Sequence, residues 1–201
     1  MLVENGKIVD EFDAILDWTK LTTAEIDPCW LVKKIASINM QLRRADKPQH
    51  LTLDLLRTGQ CPRATLQKLV DKLNEAKVKN IPVVNHGLIK FDIPMLSNQA
   101  ELWLGAPYLF KRTQVIDTAA LEKAIELKLS PGLPCFDGCK LLNYQKQVLD
   151  VKANARFSLD YHCAKKYNLW NKTGLAPNLA HLALNDTKLC DCLVRTYKEL
   201  R

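Results

Sequence analysis

The sequence predicts a single layered α/β domain, and three observations lead there. Short apolar runs suited to strands, Ile81-Pro82-Val83-Val84 and Gln114-Val115-Ile116-Asp117, alternate with stretches of helical periodicity. An Asn-Gly turn signal between two apolar runs opens the chain as a β-hairpin. No repeat, low-complexity tract or Pro/Gly/Ser-rich linker divides the 201 residues, so one domain is expected over 1–201.

The elements follow in order. Leu2-Val3 and the run from Lys7 to Leu16 form the hairpin arms around Asn5-Gly6, the second arm alternating only in part. Pro28 to Leu42 is helical, because Leu31, Ile35, Ile38 and Leu42 recur at helical spacing. Thr65 to Ala76 is a stronger helix. Its stripe of Leu66, Leu69, Val70 and Leu73 has Lys68, Asp71, Lys72 and Glu75 outside it. Ile81 to Val84 is a buried-type strand. Phe91 to Leu96 starts a helix, with Asp92 at its N-terminus and Pro94 in the first turn. Gln114 to Asp117 is a strand and Thr118 to Leu129 a helix. Ser130 to Asp150, which holds Pro131, Gly132, Pro134 and Gly138, reads as irregular loop. Ser158 caps a helix through Tyr167, and a final helix runs from Leu182 to Leu200.

Composition narrows the function classes. An apolar fraction of 47% with 25% charged residues is that of a soluble globular domain rather than a disordered chain. No apolar run is long enough to span a membrane. Met1 to Lys7 lacks the order of a signal peptide, so a cytoplasmic location is expected. Seven cysteines are too sparse, and odd in number, for a disulfide scaffold. Cys135, Cys139, Cys190 and Cys192 with Cys163 and His162 offer a zinc reading. Only Cys135 and Cys139 have suitable spacing, and Cys190 and Cys192 fall on different helix faces, so idle thiols are the better account. The net charge of +7 favours polyanions. Lys33-Lys34, Arg43-Arg44, Lys111-Arg112 and Lys165-Lys166 are candidate phosphate contacts, although any one pair is ordinarily solvated surface.

Three residues carry candidate chemistry. His181 precedes Asp186 by five positions, about 140° apart on an ideal helix. They meet if His181 lies on the loop entering the helix, which Pro177 and Asn178 suit. A histidine there can take a proton from water, and an aspartate can ligate a hard cation. Asp92 follows a strand, at the end where α/β sheets gather ligands. Taken singly, each has an ordinary alternative: surface or core histidine, helix-dipole aspartate, N-cap. Phe91 beside Asp92 reads as core.

Together these pieces resemble the DnaQ-like, DEDDh 3′-5′ exonucleases. Residues 81 to 96, from Ile81 through Asn85-His86-Gly87 and Phe91-Asp92 to Leu96, are similar to the family's second motif. Val115-Ile116-Asp117-Thr118 is similar to its following strand, Phe157 to Cys163 to its Ser-Leu-Asp helix start, and His181-x-Ala183-x-x-Asp186 to its third motif. The resemblance implies a ribonuclease-H-like mixed β-sheet flanked by helices. It also implies hydrolysis of DNA or RNA from the 3′ end with two Mg²⁺ or Mn²⁺ ions about 4 Å apart. On matched positions, Asp186 ligates the first metal, Asp92 helps hold the second, and His181 is the general base. His86, Phe91 and Lys90 contact the nucleic acid.

Two departures matter. Gly87 stands where the family commonly has asparagine. The family's first motif, Asp-x-Glu on the opening strand, is absent, although residues i and i+2 of a strand share a face and so hold both ions. Glu11-Phe12-Asp13 has similar spacing but follows the hairpin, so Glu11 and Asp13 are expected to be exposed strand residues. The sheet is therefore expected to lack its first strand, a central one, and the chain as written to be inactive. Either the natural protein carries about twenty further residues, which is the expectation, or the chain is a degenerate relative. The competing function is a non-catalytic ribonuclease-H-like module binding nucleic acid or a polymerase; a zinc-binding interaction domain is a third. Trp103, Trp170, Tyr108 and Tyr144 are available to stack on bases, though aromatics more often fill cores.

Overall fold

The computed structural model describes residues 1–5, 7–17, 28–44, 51–129 and 138–152, with Leu159, His162, Tyr167, Lys188, Cys190, Asp191, Cys192 and Arg195. Strand β1 (Leu2–Glu4) runs antiparallel to β2 (Lys7–Asp10), with Glu4 opposite Lys7 and Val3 opposite Ile8. Asn5 turns the chain at φ 48°, the left-handed conformation that a two-residue hairpin turn requires and asparagine tolerates. The second arm ends at Asp10, short of the expected Leu16. Glu11 and Asp13 are exposed, as expected, but on irregular chain rather than strand. Leu16 then forms an isolated parallel bridge to Gln60. Gln60 N donates to Ile15 O at 2.7 Å, and Asp17 N to Gln60 O at 2.9 Å. Gly59 abuts this bridge so closely that a Cβ there would lie 2.5 Å from Asp17 N.

Helix α1 (Pro28–Arg44) extends the expected helix by one short step. The brief helix α2 (Leu53–Arg57), absent from the sequence reading, is capped by Thr52, whose Oγ1 accepts from Leu55 N at 3.0 Å. Ile35 and Leu56 pack together with Leu51 and Leu53 against them. Helix α3 (Pro62–Val78) begins on a proline, which its first turn accommodates.

Strands β3 (Val83–Asn85) and β4 (Val115–Asp117) pair in parallel, Val83 opposite Val115 and Asn85 opposite Asp117. A single π turn (Leu88–Asp92) and helix α4 (Ile93–Leu104) carry the chain between them, the crossover a parallel pair needs. Helix α5 (Thr118–Glu126) follows β4 directly. Leu88, Val115 and Leu142 form the buried centre here, with Val83, Ile89, Ile93 and Phe110 packed on it.

Helix α6 (Gly138–Asp150) corrects the later part of the loop expected from Ser130 to Asp150; residues 130–137 lie outside the described residues. Pro131, Gly132 and Pro134 all precede it, and Gly138 is its first residue. Beyond that, Leu142, Gln145 and Val148 are buried at helical spacing. The polar Gln145 inside this stripe disguised the period. The protein is thus mixed α/β, and among the described residues its strands form two separate two-stranded sheets. Lys188, Cys190, Asp191, Cys192 and Arg195 are helical, within the span expected for the final helix. The helix start expected at Ser158 lies largely outside the described residues. No described helix is long and apolar enough to cross a membrane.

Candidate functional site

Because β3 and β4 are parallel, their carboxyl ends lie side by side, bringing Asn85 next to Asp117. Asp117 is fully buried (0% exposed). Its Oδ1 accepts from Gly87 N at 2.8 Å and Ala119 N at 3.0 Å, and its Oδ2 from Ile89 N at 2.9 Å. One carboxylate therefore caps α5 and anchors the start of the π turn. The amides that could receive an external anion there are occupied by an internal one. From α6, Gln145 accepts from Asp117 N at 2.6 Å and donates to Val115 O at 3.0 Å. Its side-chain amide terminates that edge of β4 as a neighbouring strand would.

The π turn closes with Ile93 N donating to Leu88 O. The extra residue folds Asp92 back onto the strand end, where Asn85 Nδ2 donates to Asp92 Oδ2 at 2.7 Å. Asp92 makes no capping bond to α4, so the N-cap role does not account for it. Its other oxygen carries no hydrogen bond among the described residues. Burial raises the carboxyl above its ordinary value; the Asn85 bond opposes this, and the Asp117 charge adds to it. Gly87 adopts φ 84°, and a Cβ there would stand 3.1 Å from the Phe91 ring, so this turn favours glycine over any residue with a side chain.

A raised carboxyl has a defined consequence for stability. The folded state then holds the Asp92 proton more tightly than the unfolded state, so the contribution is full in acid and is lost as pH rises through the folded value. Stability is expected to fall upward from about pH 4, the ordinary aspartate range. Asp92→Asn keeps an acceptor for Asn85 and should flatten that fall, which urea unfolding across the acid-to-neutral range would measure. An unchanged slope would refute the burial account.

A second polar cluster adjoins the first. His86 Nδ1 lies 3.0 Å from Thr118 Oγ1, which also donates to Asn85 O at 3.4 Å. Cys190 Sγ is 3.7 Å from the same hydroxyl. Burial pushes the Cys190 thiol up to about 11; the Thr118 bond opposes that, and Asp117, Asp191 and Asp92 reinforce it. Cys190 therefore packs at the strand ends. The His162 ring stands 6.1 Å from that of His86. His162 Nδ1 is 3.0 Å from Glu122 Oε2, both side chains being 0% exposed, and Tyr167 OH donates to Glu122 Oε1 at 3.0 Å.

The structure thus brings Asp92 and His86 together with Asp117. His181 and Asp186 lie outside the described residues. Lys90 reaches Leu149 O at 3.1 Å and Asp150 Oδ1 at 3.3 Å, at the C-terminal end of α6. Phe91 is 72% exposed, which corrects the core reading: the left-handed Gly87 beneath it leaves the ring above the turn. Tyr108 is buried edge-on against Phe110, at 4.9 Å, so it is not a stacking surface for bases. Trp103 is half-buried and bonds Gln99, and Trp170 lies outside the described residues. In the zinc reading, His162 is engaged by Glu122 and Cys190 by Thr118, while Cys135 and Cys163 lie outside the described residues. No group of three or more His, Cys, Asp or Glu among the described residues is placed to hold a metal.

Sequence reasoning noted the Asp-Thr ending of β4 but did not assign Asp117 a site role, and it missed Gln145 and Glu122. The Asp-Thr step at a strand-to-helix junction was the available signal. No protein-family model, curated protein or solved structure matches this chain. What fold and site define is a mixed α/β protein with two carboxylates at the carboxyl ends of a parallel strand pair.

Proposed function

We propose that this chain is a metal-dependent 3′-5′ exonuclease domain of the ribonuclease-H-like kind, acting on DNA or RNA with Mg²⁺ or Mn²⁺. The observation that carries the reading is Asp92: a half-buried carboxylate turned toward the end of β3, not capping a helix, with one oxygen uncommitted among the described residues. Burial that raises its proton affinity also suits it to a divalent cation, which would relieve the same penalty. Cys190, four positions beyond Asp186 in the sequence, lies at the strand ends against Thr118.

In this reading, Asp92 and Asp186 hold the cations, which would supply charge stabilisation to the attacking and leaving oxygens. His181 takes the proton from the attacking water. His86 and Phe91 border the nucleotide, Phe91 through its exposed ring. Asp117 is not a ligand, because both its oxygens are committed to backbone amides. Two carboxylates are too few for two divalent ions, so turnover needs a further Asp-x-Glu pair.

The test is release of nucleotides from a 3′-labelled single strand. It is run with the 201-residue chain and with one extended through the reading frame upstream of Met1. The extended chain should be Mg²⁺-dependent, and Asp92→Ala or Asp186→Ala should reduce it to the level of a no-enzyme control. Undiminished activity in either variant overturns the assignment. A second reading, a non-catalytic nucleic-acid- or polymerase-binding module, is favoured by the shortage of carboxylates together with the +7 charge. It predicts a steep salt dependence of binding and no hydrolysis by either chain.

A further inference from the structure

The apolar stripe of α3 is only partly packed away. Although α3 packs against α4, Leu66, Leu69 and Leu73 are only half-buried and line a cavity of about 630 Å³. Val84 of β3 and Leu96 of α4 line it beside them, and Leu2 of β1 and Leu16 reach it from the hairpin side. Both two-stranded sheets thus contribute residues to one apolar space that no described element fills.

The two edges of the β3–β4 ladder differ. The β4 edge is closed by Gln145, which bonds Val115 O and Asp117 N. On the β3 side, beyond its pairing with β4, the described residues make two hydrogen bonds to the strand, Thr118 Oγ1 to Asn85 O and the Asn85 side chain to Asp92, and of these the first alone engages its backbone. An open edge is a template for another strand, and it continues a ladder that already exists. Successive strands lie about 4.8 Å apart and alternate their side chains across the sheet, so a strand set against β3 would present one face to the α3 stripe.

The charge of the lining chooses between occupants. It carries Lys72 and Lys79 against Asp10, Glu75 and Asp92, and Lys72 is paired with Asp10. Although the chain as a whole is +7, this space has no cationic excess to attract a polyanion. We infer that the cavity between the two sheets is an acceptor for an extended, apolar polypeptide strand, which adds to the edge of β3 that the described residues leave open and covers the α3 stripe.

The inference does not depend on metal binding or hydrolysis. The test is amide hydrogen exchange on the full chain, with the synthetic peptide Lys-Thr-Val-Val-Ile-Val-Thr-Lys as probe. Its control is the same peptide N-methylated at alternate residues, which cannot pair as a strand. Exchange within Val83–Asn85 should slow by about 10-fold or more with the first peptide and not with the second. Exchange within Val115–Asp117 should change little, because that edge is already closed. Leu69→Gln should weaken the effect; if that variant does not fold, the N-methylated control still decides. Four results would overturn the proposal: no slowing; equal slowing by both peptides; slowing by an oligonucleotide instead; or slowing that grows with protein concentration alone, which would identify a second copy as the occupant.

Discussion

Asp117→Ala is expected to lower folding stability by about 3–5 kcal/mol, since it leaves three backbone donors at the strand ends without an acceptor. Gly87 N, Ile89 N and Ala119 N all converge on this carboxylate, two of them in buried surroundings. Hydrogen bonds to a charged acceptor contribute about 1.5–3 kcal/mol each. Part of that sum is offset, because removing a buried anion also removes its desolvation penalty. The residual loss is still large for a single side chain.

Asp117→Asn sharpens the test. A carboxamide oxygen in the Oδ1 position would keep the bonds to Gly87 and Ala119, while its NH₂ would meet the Ile89 N–H donor to donor. About half the alanine loss is expected, and the start of the π turn should be disturbed more than that of α5. Denaturant unfolding at neutral pH measures both. A loss under about 1 kcal/mol for alanine would mean that water or a neighbouring group replaces the carboxylate, and Asp117 would lose its place as the anchor of the site.

Glu122→Ala is the second substitution with a large expected effect, about 3 kcal/mol or more. Glu122 is fully buried on α5; its Oε2 stands 3.0 Å from His162 Nδ1, and its Oε1 accepts from Tyr167 OH, both from the C-terminal part of the chain. Cutting one member from a buried polar cluster leaves the others desolvated, which is why the cost exceeds that of a surface pair. Glu122→Gln should lose much less. Its oxygen can still accept from Tyr167, and its NH₂ can donate to a neutral imidazole. The loss should be nearly independent of salt, because the cluster is beyond the reach of mobile ions. Equal losses for alanine and glutamine, or strong relief by salt, would contradict this account. Since the His162 ring lies beside that of His86, the imidazole resonances of His86 should also shift in the alanine variant.

Legibility varied by the kind of interaction. The hairpin turn was plain, because Asn5-Gly6 is a local conformational requirement that hardly depends on the rest of the chain. The α3 period, the β3 and β4 runs and the placement of Asp92 after a strand were also plain, being set by neighbours a few positions away. Helix α6 was not. Its buried stripe includes Gln145, and a buried glutamine makes sense only once the β4 edge it completes is known. Phe91 was misread for a related reason: apolar character says nothing of which side of a turn a ring will occupy, and the left-handed Gly87 decides that. Of the candidate site, Asp92 and His86 were singled out from motif order, whereas Asp117 was passed over because a strand-ending aspartate looks the same in sequence whether it caps, ligates or faces water.

By itself, the sequence determined the alternation of strands and helices, the opening turn and the basic charge, all properties of local periodicity or side-chain chemistry. Only the tertiary structure decided that Asp117 is enclosed by three amides, that Gln145 ends one edge of the parallel pair, and that the apolar stripe of α3 looks into a cavity. Those outcomes depend on hydrogen bonds and packing between residues tens of positions apart, and such pairings leave no spacing rule in the chain.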